Sequence, residues 1–127
     1  MGLYEEITMN RIKKLRELIG LGKFPKDFSH FGGADLIITN DPNRSFREGT
    51  VVVYTEHAAA LSWLVFELKK IYDSKLNAAN KYEFYPYIGE LIQASVKAND
   101  DLFETMLFVV DKIEEDWGRI KNKKLDE

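Results

Sequence analysis

Residues 58–66 read AAALSWLVF, apolar at every position except Ser62. Wound into a helix, this run is apolar nearly all round, so the helix has to be central and buried on most sides. It is too short and too interrupted to span a bilayer. The other elements must therefore wrap it, and a chain of 127 residues suffices for one domain that buries about two-thirds of its unfolded surface without staples. Thr55 is the predicted N-cap of this helix, with Glu56 at the positive end of the dipole and the last turn near Asp73.

The flanking segments supply the wrapping. From about Leu3 to Ile19, Tyr4, Ile7, Ile12, Leu15, Leu18 and Ile19 share one side of a helix that Gly20 and Gly22 end. Arg11 projects into the middle of that apolar arc, where a charge needs a partner or a route to water. It reads as a snorkelling stem or a core-edge ion pair, or else as an anion-binding arginine inside a pocket. Residues 20–33, GLGKFPKDFSHFGG, place Phe24, Phe28 and Phe31 in an irregular loop that closes one end of the core or forms an aromatic lip.

Two short β-branched runs follow, 34–39 (ADLIIT) and 49–54 (GTVVVY). Asp41-Pro42-Asn43 suits a type I turn between them, so the expectation is an antiparallel β-hairpin with a nine-residue connection. The alternation in 81–85, KYEFY, offers a third strand. Pro86 opens a helix carrying Ile88, Leu91, Ile92 and Ser95 and ending near Asn99. Asp101 and Glu104 form a capping-box pattern before a last helix striped by Leu102, Met106, Val109, Ile113, Trp117 and Ile120. The predicted architecture is α+β: helix, hairpin, then three helices, four helices in all on a small antiparallel hairpin or three-stranded sheet. Residues 1–120 form the single domain and 121–127 a frayed tail.

Chemistry is sparse. The chain has no cysteine, which removes thiol nucleophiles, disulfides and Cys-based metal sites. The proton shuttles left are His30 and His57. His57 falls in the first turn of the buried helix, in the arc of Leu61, Leu64 and Leu68, and reads as a core-edge histidine. The two histidines meet Asp35 or Glu56 only if the aromatic loop folds back over the end of the second strand, so no metal site is expected. Gly22-Lys23 lacks both the upstream glycine and the following Ser or Thr of a phosphate loop; Glu17 and Phe24 stand there. Gly20-x-Gly22 follows a helix rather than a strand, against a dinucleotide fingerprint. No cofactor is expected.

What remains is surface charge. The net charge is −3, from 18 basic and 21 acidic residues, against a strongly basic nucleic-acid binder. The balance conceals segregation. Residues 100–116 hold seven acids against Lys112 alone, with Glu104, Asp111 and Glu115 on the face opposite the apolar stripe. Arg11, Lys13, Lys14 and Arg16 crowd the first helix. The segment 40–48, NDPNRSFRE, sets Arg44 and Arg47 around Phe46, a composition typical of interface hot spots and suited to phosphate. It reads alternatively as a solvated turn whose arginines pair with Asp41 and Glu48.

The leading expectation is a non-catalytic protein-binding regulator or inhibitor-type protein, immunity-like or accessory to a mobile element, acting by surface contact. Its candidate contacts are Arg44, Phe46, Arg47, Glu104, Asp111 and Glu115, and its partner is a protein, with a basic surface if the acidic face is used. The alternative is a ligand, nucleotide or nucleic-acid module using Arg11, Lys14, Arg44 and Arg47, with His57 a further ligand candidate. A small enzyme around His57 and Glu56 ranks third. The acidic start and absence of an apolar leader point to the cytoplasm and away from a membrane. Both tryptophans sit on strongly apolar helices, which is compatible with a homodimer.

Overall fold

The computed structural model describes residues 3–25, 27–28, 35–72, 78–98 and 101–123, and side chains within 9–25, 27–28, 35–71, 85–98 and 101–115. In chain order these form α1 (Leu3–Gly20), β1 (Leu36–Thr39), β2 (Val51–Tyr54), α2 (Ala58–Tyr72), α3 (Ala78–Ala98) and α4 (Leu102–Lys123). The class is α+β, with four helices and a two-stranded sheet among the described residues.

The expected central helix is α2. Ala58, Ala60, Leu61, Ser62, Trp63, Leu64 and Val65 are all buried, and Leu68 and Ile71 continue the buried side below them. Around it pack Ile12, Leu15 and Ile19 of α1, Ile88 and Ile92 of α3, and Met106, Val109, Val110 and Ile113 of α4. Each large aliphatic side chain buried this way contributes roughly 1.5–3 kcal/mol. The α4 positions recur at three- and four-residue steps, which is why its stripe was readable.

Asp101 caps α4 as predicted. Its Oδ1 accepts the Phe103 N–H at 2.8 Å and its carbonyl accepts the Thr105 N–H at 3.0 Å. Thr55, by contrast, does not cap α2. Its own N–H is still in the sheet, donating to the Thr39 carbonyl at 3.0 Å, so the chain has to turn before a helix can begin. The Thr55 Oγ1 accepts the His57 N–H at 3.1 Å, and the His57 carbonyl takes the first helical bond, from Leu61 N at 3.1 Å.

The strand pair corrects the antiparallel hairpin. β1 and β2 run parallel, with Leu36 opposite Val51 and Thr39 opposite Tyr54. One turn between two strands makes a hairpin; residues 40–50 hold two. The first is Asp41–Arg44, closed by Arg44 N to Asp41 O at 3.2 Å and braced by Asn43 N to Asp41 Oδ1 at 2.9 Å. The second is Arg47–Thr50, closed by Thr50 N to Arg47 O at 3.1 Å, with Gly49 at φ +88°. A glycine with positive φ at the third position is what a type II turn requires. Two reversals restore the original direction, and β2 starts again at the N-terminal end of β1.

Two other expectations fail in one region. Residues 81–85 are helical, not a third strand, because α3 starts at Ala78 and passes through Pro86 instead of starting there. An interior proline loses its N–H bond and crowds the carbonyl of the preceding turn, a cost offset here by Tyr85 and Tyr87 on either side of it, which pack against the core. Further along α3, Gly89 lets the helix approach the sheet. A Cβ built there would sit 2.6 Å from Leu36 Cδ1 and 2.9 Å from Val51 Cγ1.

The apolar cluster takes in Leu36, Ile38 and Val53, with Val51 against it. By strand alternation these share one face of the sheet. Ile37 and Thr39, buried at 4% and 1% exposure, belong to the opposite face and lie outside the cluster.

Candidate functional site

Parallel pairing puts the C-terminal ends of both strands at one end of the sheet, and the start of α2 follows directly from one of them. In parallel sheets such ends are the usual place for binding residues, since the outgoing loops gather there. Thr39 organises this end. Its carbonyl holds Thr55 N, while its Oγ1 accepts the Asp41 N–H at 3.0 Å.

Every residue from Asn40 to Gly49 is exposed. Within this stretch Phe46 is 53% exposed, a large ring that no ring contact among the described residues covers. Arg44 and Arg47 stand on either side of it in sequence and belong to the two different turns. Neither guanidinium holds a carboxylate among the described residues. Asp41, the partner expected for one of them, spends Oδ1 on the Asn43 N–H instead. The backbone of the connection is thus fixed at both turns while its cations and its aromatic ring face solvent.

Tyr54, 47% exposed at the end of β2, adds a second aromatic ring at the C-terminal end of the sheet. It was not among the residues the sequence singled out, because VVVY reads as an ordinary strand until the strand direction is known. Gly49, assigned there to the start of the strand, in fact makes the second turn.

The remaining candidates scatter. His57 is partly exposed at the start of α2, with Nε2 3.5 Å from the exposed carboxylate of Glu56. Arg11 is exposed, as the snorkelling reading expects and the buried pocket reading does not. Its Nη1 donates to the Lys70 carbonyl at 3.4 Å, one of the carbonyls that a helix end leaves without an intrahelical partner. Lys14 is exposed on α1. From His57 to Lys70 the rise along α2 is about 20 Å, so Arg11 and His57 mark opposite ends of that helix and do not form one pocket. His30 lies outside the described residues.

Part of the segregated charge is paired within the molecule. Arg16 of α1 hydrogen-bonds Asp111 of α4 through Nε at 3.0 Å and Nη2 at 2.6 Å, and reaches Glu114 as well. Partial burial works against the Arg16 charge, but the hydrogen bonds to Asp111 and Glu114 and their negative charge outweigh it and hold the guanidinium above its ordinary pKa. Glu115 stands 3.9 Å from Lys112, and Glu104 is exposed in the first turn of α4. Of the predicted acidic contact face, Asp111 is thereby engaged across the α1–α4 interface.

The aromatic loop after α1 packs inward where it is described. Phe24 stacks on Trp63 at 6.0 Å and meets Phe103 edge-on at 5.8 Å, and Phe28 lies 5.6 Å from Phe66. Among the described residues no three His, Asp or Glu side chains gather as a metal site would require, and no helix is long and apolar enough to cross a membrane.

No family model matches the chain, and no curated protein or solved structure is significantly similar to it.

Proposed function

We propose that this chain is a non-catalytic partner-binding protein of the regulator or inhibitor type, and that it engages its partner through the 40–49 connection. The observation that carries this reading is the pair of unengaged guanidiniums, Arg44 and Arg47, with exposed Phe46 between them on a backbone braced by two turns. Arginine and aromatic side chains dominate binding energy at interfaces, and a pre-formed loop loses less entropy on docking than a floppy one.

The same arrangement specifies the partner's chemistry. Two free cations beside a ring favour an acidic protein surface, where each guanidinium can take a carboxylate in bidentate fashion. A basic partner on the α4 face has weaker support, since Asp111 and Glu114 are already held by Arg16. The ligand or nucleic-acid reading loses Arg11, which caps the far end of α2.

The test compares proteins captured from cell extract by the wild type, by an R44E/R47E double variant and by an E104K/E115K double variant, each captured partner then being purified and titrated by calorimetry. The expected result is a partner bound by the wild type and the E104K/E115K protein and lost with R44E/R47E. Binding that survives R44E/R47E and disappears with E104K/E115K would move the contact to α4. Capture of nucleic acid with a steep salt dependence would favour the alternative.

A further inference from the structure

The two strands leave one edge of the sheet open. In the observed register, Val51 N donates to Asp35 O at 3.1 Å and Thr55 N to Thr39 O at 3.0 Å. Parallel pairing alternates, so Val51, Val53 and Thr55 turn their backbone groups toward β1, while Val52 and Tyr54 turn theirs away from it. On the far side of β1 the corresponding residues, Leu36 and Ile38, are fully buried. On the β2 side Val52 is partly exposed and Tyr54 exposed.

Those outward groups are under-used. The N–H groups of Val52 and Tyr54 meet no backbone acceptor among the described residues, and no third strand lies there. The Val52 carbonyl holds only a long contact, 3.4 Å from the Gln93 side-chain amide of α3. Gln93 stands in for a neighbouring strand at one point, and no other described residue bonds the outward backbone groups of this edge. A two-stranded sheet of four-residue strands is a marginal unit, so a third strand would extend a ladder whose first two are already fixed by the core.

We infer that β2 accepts an extended acidic segment of the partner as a third strand, an inference that rests on the arginine connection being the contact. Strand addition to a free sheet edge takes its affinity from backbone pairing and its selectivity from flanking side chains. Charge complementarity supplies the selectivity. Arg47 belongs to the turn immediately before β2, and Arg44 to the turn tied through Asp41 to the opposite end of the sheet. The two cations therefore bracket the strand pair from its two ends. An incoming strand that alternates acidic and apolar residues presents carboxylates to the arginines and its apolar residues toward the core side. Tyr54, opposite Thr39, flanks the incoming strand on the other face, and Gln93 gives up the Val52 carbonyl to the new neighbour.

The probe is a blocked peptide of about nine residues, a usual strand length, alternating glutamate and valine, added to the intact protein. Residue-resolved amide hydrogen exchange should slow at Val52 and Tyr54 by about tenfold or more at saturation, with Val53, already bonded to β1, changing far less. A peptide of the same sequence with alternate backbone nitrogens methylated keeps its charge and should not bind. The R44E/R47E protein should lose the unmodified peptide.

The inference falls if the wild type binds neither peptide, or if both peptides bind equally with no added protection at Val52 and Tyr54. Equal binding of both that R44E/R47E abolishes would overturn strand addition while leaving the arginine contact in place. Protection at Val52 and Tyr54 that R44E/R47E leaves intact would instead overturn the acidic selection and the contact reading beneath it.

Discussion

Replacing Gly89 by alanine tests the packing that holds the sheet against the helices. The added methyl would stand 2.6 Å from Leu36 Cδ1, 2.9 Å from Val51 Cγ1 and 3.2 Å from Val51 Cβ, where carbon atoms prefer about 3.5–4.0 Å. Leu36 cannot simply swing aside, because its side chain is fully buried in the cluster. Val51 Cβ is one bond from the backbone of β2, so no rotamer change relieves that contact. Either α3 lifts or β2 shifts by several tenths of an ångström, and overpacking of this kind costs about 1–3 kcal/mol. Alanine returns up to about 1 kcal/mol through its better helix propensity. The net expectation for G89A is a loss of about 1–2 kcal/mol, read as a lower urea midpoint at unchanged slope and a Tm lower by about 3–10 °C. Gly20 provides the control. It closes α1, and a Cβ there meets nothing within 4 Å, so G20A should be neutral or stabilising. The cost of G89A should also shrink in a V51A background, giving a coupling energy of opposite sign to the single losses. A G89A protein as stable as the wild type, or more stable, would refute the close approach of α3 to the strands.

Three further perturbations probe single links. D101A removes the side-chain cap of α4 and should cost about 1 kcal/mol in equilibrium denaturation. G49A forces a Cβ into φ +88° with no steric contact to blame, so a loss of about 1–2 kcal/mol reports the conformation of the second turn; a neutral G49A would count against two reversals and hence against parallel strands. R16A should cost about 0.5–1 kcal/mol at low salt and progressively less in 1 M salt, because its partners are partly exposed and screened. The Arg16 pKa is raised in the folded state, so by linkage its contribution is complete at lower pH and fades only as pH climbs through that raised value, far into alkali. The R16A difference should therefore persist unchanged through the mildly alkaline range, measured by denaturation at several pH values.

The parts of this fold that were readable are those whose physics is local. All-round apolarity marked α2, a recurring three-and-four step marked α4, and an Asp at the right offset marked its cap. Strand direction is not local in this sense. Whether β2 runs with or against β1, the alternation of IIT and VVV buries the same faces, so the side chains are silent and the connection decides. There, Asp41-Pro42 announced one turn plainly, whereas Gly49 looked like the first residue of a strand. The partner of Arg11 was hidden for a related reason. A helical wheel gives an angle but no height, and at the height of Arg11 the arc has reached the end of α2, where a cation finds carbonyls in place of hydrocarbon.

Charge shows the same dependence on topology, and it bears most on function. Read along the chain, the basic first helix and acidic last helix are two separate surfaces, each a candidate for some partner. Packed side by side, they spend part of that charge on each other, through Arg16 with Asp111 and Glu114. Arg44 and Arg47 of the 40–49 connection hold no carboxylate among the described residues. Folding thus engages part of the larger charge clusters and leaves Arg44 and Arg47 beside Phe46, close in sequence to a strand whose outward N–H groups meet no backbone acceptor among the described residues. The proposed contact rests on that coincidence of cations, an exposed ring and outward N–H groups in and beside the 40–49 connection.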